Sequence, residues 1–127
     1  IDYELIDYTS IRLRSAFYGY DPENTKIDQK YTQANNLRVG TEWKFDPFSI
    51  RGGYALYGSP FKSGVNDGVR ENYSFGFGIR EDDFYIDFAY IFSKTSEDYY
   101  LYSGDIIAPT PTTSESHTFQ TTLGFRF

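Results

Sequence analysis

From Asn72 to Arg80 every second residue is large and apolar: Tyr73, Phe75, Phe77 and Ile79 fall on one side of an extended chain, and Ser74, Gly76, Gly78 and Arg80 on the other. A helix would scatter these rings around its circumference, so period two dictates a strand. After the polar turn Glu81-Asp82-Asp83 the alternation resumes, with Phe84, Ile86, Phe88, Tyr90 and Phe92 opposite Tyr85, Asp87, Ala89, Ile91 and Ser93. The two runs predict a hairpin. A second hairpin comes earlier, where Leu37, Val39, Thr41, Trp43 and Phe45 alternate with Arg38, Gly40, Glu42 and Lys44 until Asp46-Pro47 stops the run. Proline cannot donate to a ladder, which places a turn there. Phe48, Ile50, Tyr54 and Leu56 then share a face against Ser49, Arg51, Gly53, Ala55 and Tyr57, with Gly52 on the apolar face as a candidate bend.

A last strand runs from Thr118 to Phe127, with Phe119, Thr121, Leu123, Phe125 and Phe127 on its apolar side. The first strand lies within Asp2 to Ser15. Tyr3 and Leu5 are out of phase with Ile11 and Leu13, and a bulge near Ile6-Asp7 would reconcile them. No window shows sustained recurrence at three and four residues, so no helix is expected.

Six antiparallel strands follow, and the connections between them alternate strictly in length. Long polar segments cover Ala16 to Ala34, Gly58 to Glu71 and Lys94 to His117, whereas the turns at Asp46-Pro47 and Glu81-Asp83 are tight. Outer-membrane barrels have short periplasmic turns and long extracellular loops, which would put the long segments outside the cell and Phe127 on the periplasmic side. The third long segment contains Ala108-Pro-Thr-Pro-Thr-Thr-Ser-Glu-Ser116, has little to bury, and is expected to be mobile.

Composition bears on what covers the apolar faces. Aromatic residues make up 20% of the 127 residues, yet hydrophobic residues reach only 39% and the mean hydropathy is -0.54. Met is absent and leucines are few, unlike an ordinary soluble core. A barrel wall in lipid has this balance, with apolar and aromatic side chains outside and polar ones inside. No stretch approaches the roughly 20 apolar residues of a membrane-spanning helix, and no signal peptide is visible, as suits a mature chain or a fragment. On this reading residues 1–127 are the C-terminal part of a single outer-membrane β-barrel domain. A soluble antiparallel barrel or sandwich with its rings inward gives the same alternation; the loop asymmetry and the aromatic C-terminus are features it does not require.

The segments Asn36-Leu-Arg-Val-Gly-Thr-Glu-Trp-Lys-Phe45, Pro47-Phe-Ser-Ile-Arg-Gly-Gly-Tyr-Ala-Leu-Tyr-Gly-Ser-Pro60, Asn72-Tyr-Ser-Phe-Gly-Phe-Gly-Ile-Arg80, Asp87-Phe-Ala-Tyr90 and Thr122-Leu-Gly-Phe-Arg-Phe127 carry a likeness in their order and spacing. In these the chain resembles the FadL-type family of Gram-negative outer-membrane transporters for long-chain fatty acids and other hydrophobic compounds, over the last six strands of that family's barrel. The resemblance implies a porin-like barrel with an N-terminal hatch in its lumen, pockets for an apolar ligand and a lateral opening. None of those N-terminal elements lies in this sequence. Six strands are fewer than the eight of the smallest usual single-chain membrane barrel, so further strands, from upstream sequence or another chain, are expected to complete the wall.

The expected partners are outer-membrane lipid and a hydrophobic small-molecule ligand. Trp43, Tyr54, Tyr73, Tyr90 and Phe127 are candidate membrane-interface aromatics, having apolar bodies that suit the headgroup level. Arg38, Glu42, Arg51, Asp87 and Arg126 are the candidate lumen-facing ligand contacts. Asp87 with Arg38, Arg51, Arg80 or Arg126 forms either a cluster that meets a ligand carboxylate or a ladder of ion pairs filling the lumen. A formal net charge of -6 argues against nucleic acid, which is bound by clustered Lys and Arg. With no Cys and His117 as the single histidine, no thiolate or multi-histidine metal site can form. Glu81-Asp82-Asp83 reads as a solvated turn rather than a Ca²⁺ loop, and His117 as the border of a loop. No cofactor is expected, and no nucleophile and base pair points to an enzyme. Two alternative functions stand beside transport: a structural or adhesive outer-membrane barrel acting through its long loops, and a soluble lipocalin-like ligand binder.

Overall fold

The structure is a computed structural model and describes residues 1–101 and 108–126. Its strands are β1 (Asp2–Asp7), β2 (Gln33–Phe45), β3 (Phe48–Tyr57), β4 (Arg70–Arg80), β5 (Phe84–Tyr99) and β6 (Thr110–Phe125). They form one six-stranded antiparallel sheet in chain order, each strand paired with the next. The all-β meander read from the alternation is therefore present, as an open sheet rather than a closed barrel.

Register preserves the two faces across all six strands, because residues directly opposite in an antiparallel pair project to the same side. Val39 faces Tyr54, which faces Tyr73, then Phe92 and His117. One level nearer the short turns, Thr41, Gly52, Phe75, Tyr90 and Phe119 line up in the same way. A slip of one residue at any pairing would break the apolar face, and none occurs.

Three expectations are corrected. A helix, α1 (Asp21–Lys30), sits in the β1–β2 connection with Pro22 in its first turn, Asp21 and Glu23 at its positive end and Lys30 in its last turn. It buries no residue, so it lacks the apolar stripe by which a helix is usually found. β6 begins at Thr110, well before Thr118: Thr110–Ser116 pairs with Tyr99 back to Ser93, so the stretch expected to be mobile is largely strand. Threonine suits a pleated surface, and Pro111 is tolerated because β6 is an edge strand. Finally, no bulge interrupts β1. The strand ends at Asp7, whose carboxylate accepts from the Thr9 backbone N–H at 2.9 Å and caps a 3-10 turn, Tyr8–Ser10. Ile11 and Leu13 thus belong to the connection, and their phase is unrelated to that of Tyr3 and Leu5.

Among the described residues the sheet has no packed interior on either face. Among the described residues no large side chain is fully buried; Ala34 is the buried apolar residue and Asn36 the buried polar one. Phe75, Phe88, Phe119 and Phe125 lie between 49% and 79% exposed. The edges are uneven. β1 pairs with β2 only over Gln33–Arg38, leaving Val39–Phe45 paired on the β3 side alone.

The connections are organised at one end. Between β1 and β2, Leu13 exchanges backbone hydrogen bonds with the Asn24 side chain of α1 at 2.8 and 3.1 Å, and Arg12 pairs with Asp28 at 2.9 Å. The β3–β4 connection then joins both neighbours. Tyr31 bridges to Phe61 with ring centroids 5.2 Å apart, the Lys62 N–H donates to Lys30 at 2.8 Å, and on the far side the Asp98 N–H donates to the Asn66 side chain at 2.7 Å. The opposite end carries the tight turns at Asp46-Pro47, whose peptide is cis, and Glu81–Asp83.

Candidate functional site

The polar face curls inward. Residues from every strand, most of them of the polar-face parity and among them Asp2, Arg38, Arg51, Ser74, Asp87 and Gln120, line one open trough of about 950 Å³. Strands at the two edges of a flat sheet would not share a cavity, so the face bearing the charges is the concave one.

Two charge groups occupy this face. Arg51 is central: its Nε donates to Glu42 and its Nη1 to Asp87, both at 2.8 Å, joining β2, β3 and β5 across the intervening β4. Lys44 adds a longer contact to Glu42 at 3.5 Å. Nearer the long connections, Arg38 pairs with both Asp2 and Glu4, and Glu4 accepts from Asn36 at 3.2 Å. Both groups are partly exposed, so their charges remain in contact with water rather than in a dry core.

Glycines on β4 make the Arg51 group possible. A Cβ on Gly78 would lie 2.3 Å from Asp87 Oδ1, and one on Gly76 3.4 Å from Arg51 Cβ, so the two side chains lie across bare backbone. On β6, Gly124 is covered by the Tyr85 ring, whose nearest atom would stand 2.0 Å from an added Cβ. These small residues are fixed by the bulk of their cross-strand neighbours.

Of the five expected lumen-facing residues, Arg38, Glu42, Arg51 and Asp87 line the trough. Arg126 does not; it borders a separate recess of about 200 Å³ beside Arg80, Glu81, Tyr85 and Phe125 at the short-turn end. Asp87 is joined to Arg51, while Arg38 belongs to the other charge group. The arrangement among these residues is a ladder of ion pairs.

The convex face is aromatic. Tyr54 and Tyr73 rings lie 5.0 Å apart, Tyr73 and Phe92 6.2 Å, Phe92 and His117 5.0 Å, and Tyr90 and Phe119 4.9 Å. Tyr54, Tyr73 and Tyr90 thus share one aromatic band at the long-connection half of the sheet, with Trp43 across from Ile50 toward the short turns. Trp43 is 55% exposed. Phe127 lies outside the described residues. His117 does not border a loop: it sits within β6, stacked in this band, its Nδ1 2.8 Å from the Tyr90 hydroxyl.

Residues that the sequence reading did not single out are Tyr57, Arg70 and Tyr85. Arg70 lies over the Tyr57 ring at 4.4 Å and Arg80 over the Tyr85 ring at 5.5 Å, each on the concave side at one end of β4. Their parity along the strands was the available signal. Among the described residues no group of three or more His, Cys, Asp or Glu converges to hold a metal ion, and no helix is long and apolar enough to cross a membrane, which says nothing of crossing by strands. No protein-family model matches the chain, and neither a curated protein nor a solved structure is significantly similar to it.

Proposed function

We propose that this chain is part of the wall of a Gram-negative outer-membrane β-barrel that takes up hydrophobic small molecules such as long-chain fatty acids. One observation carries the barrel reading: a sheet whose convex face is bare aromatic and aliphatic surface and whose concave face is a charged trough. In water those rings would need a cover, yet all six strands lie in one sheet and α1 has no apolar stripe to offer. In a bilayer, hydrocarbon is the cover, and the ion pairs look into an aqueous interior where their desolvation is small. The grouping of long connections at one end and tight turns at the other fits the same orientation. The two open edges are completed by further strands.

The choice of cargo rests on the resemblance of the β2–β3 and β4–β5 hairpins and of the β6 end to FadL-type transporters. It is tested by expressing the intact protein in outer membranes and comparing uptake of radiolabelled oleate with that of a small sugar. Oleate uptake above the background of cells lacking the protein supports the reading. Passage of the sugar alone rejects it, and a protein that purifies as a monomer without detergent rejects the barrel itself.

A further inference from the structure

The concave face holds arginines of two kinds. Arg38 and Arg51 each contact two carboxylates, so the trough between them presents no uncompensated cation. Arg38 also lies over the Tyr57 ring, at 5.5 Å, but Arg70 is closer, at 4.4 Å and directly across from that ring, and among the described residues it has no carboxylate within ion-pair distance. Its acidic neighbours in sequence are engaged elsewhere. Glu71 projects to the convex face, where it accepts from the Tyr54 hydroxyl at 3.1 Å, and Asp67 accepts from the Gly68 and Val69 N–H groups of its own turn.

We infer that Arg70, propped on Tyr57 at the long-connection end of the concave face, is the docking point for the carboxylate of an incoming amphiphile. This rests on the uptake reading above and adds to it the residue that selects an acid head. A guanidinium held over a phenol ring, here at 4.4 Å, has N–H groups in the forked arrangement that matches a carboxylate. Arg51 cannot serve, because its Nε and Nη1 are already taken by Glu42 and Asp87 and an arriving anion would meet two like charges. Arg80 also stacks on a tyrosine, but it borders the recess shared with Glu81 and Asp82 at the opposite end. An acid head is thus met at the mouth and released into a trough that does not retain it.

The test uses the intact protein in detergent, with oleate and oleyl alcohol as paired probes that differ in the charge of the head. Arg70→Gln is expected to raise the oleate Kd about tenfold, the worth of one charge-assisted contact at a half-open site, and to leave oleyl alcohol unchanged. Arg70→Lys, which keeps the charge and loses the fork and the stack, is expected to fall between wild type and Arg70→Gln. Retained oleyl alcohol binding certifies a folded barrel. Should Arg70→Gln lose both probes, Arg70→Lys decides alone: weakened oleate with intact alcohol binding supports the site, and equal oleate affinity overturns it. An unchanged ratio of oleate to alcohol affinity in Arg70→Gln also overturns the site while leaving the uptake reading in place. A wild-type barrel that binds neither probe removes both.

Discussion

A lysine scan along β5 gives a direct reading of what touches the convex face. Phe84, Ile86, Phe88, Tyr90 and Phe92 project to that side, and Phe88 is its midpoint. The separation of Phe84 and Phe92 is 92 − 84 = 8 residues, which at about 3.4 Å per residue is roughly 27 Å of strand. With a tilt of about 40° this becomes roughly 21 Å along the membrane normal, close to the ~25 Å apolar band of an outer-membrane barrel. Phe88 then lies about 10 Å from either limit. Lysine at Phe88 is expected to cost about 2–4 kcal/mol, and lysine at Phe84 or Phe92 about 0–1 kcal/mol, with Ile86 and Tyr90 between. The assay is reversible urea unfolding of the intact protein in phospholipid vesicles, one variant at a time. Repeating it in shorter-chain lipid narrows the hump, because the hydrocarbon limits move toward Phe88. A flat profile, or a profile indifferent to lipid length, refutes the assignment, since a protein-packed face has no reason to follow bilayer depth.

Gly124→Ala is expected to destabilise by about 1–3 kcal/mol, because the Tyr85 ring must leave its place, and to be nearly neutral in a Tyr85→Ser background; a double-mutant cycle in urea measures the difference. Reversing the central pair, as Arg51→Asp with Asp87→Arg, is expected to recover part of the melting temperature lost by either change alone, read by circular dichroism. Phe61→Ala is expected to release the β3–β4 connection from Tyr31 and speed hydrogen exchange at Thr32 and Lys62, whose amides donate to Pro60 and Lys30, while amides within β4 stay protected.

Alternation was legible because it is a local property: Tyr73 through Ile79 and Phe84 through Phe92 announce their faces without reference to any neighbour, and the register then aligned those faces across five pairings. The features missed were those set by a neighbour. Thr110–Ser116 is strand because β5 extends to Tyr99 and offers it a ladder, although its own composition reads as loop. α1 carried its start and stop residues, Pro22 and Lys30, but without a buried face its periodicity was silent. Four of the five charged residues expected on the polar face, Arg38, Glu42, Arg51 and Asp87, line the trough, and parity alone named them. Arg126 differs because parity fixes the side of a sheet and not the height along it, and its height puts it below the trough. The role of Gly78 became visible only once Asp87 lay across it.

The half-covered flank of β2 bears on the timing of assembly. Along Val39–Phe45 every second residue turns its peptide N–H and C=O away from β3, toward a side where the described sheet supplies no strand. In oil such groups are each penalised by several kcal/mol, so these strands cannot slip into a bilayer one hairpin at a time and wait. On the outer-membrane reading, they enter together with whatever zips along that flank.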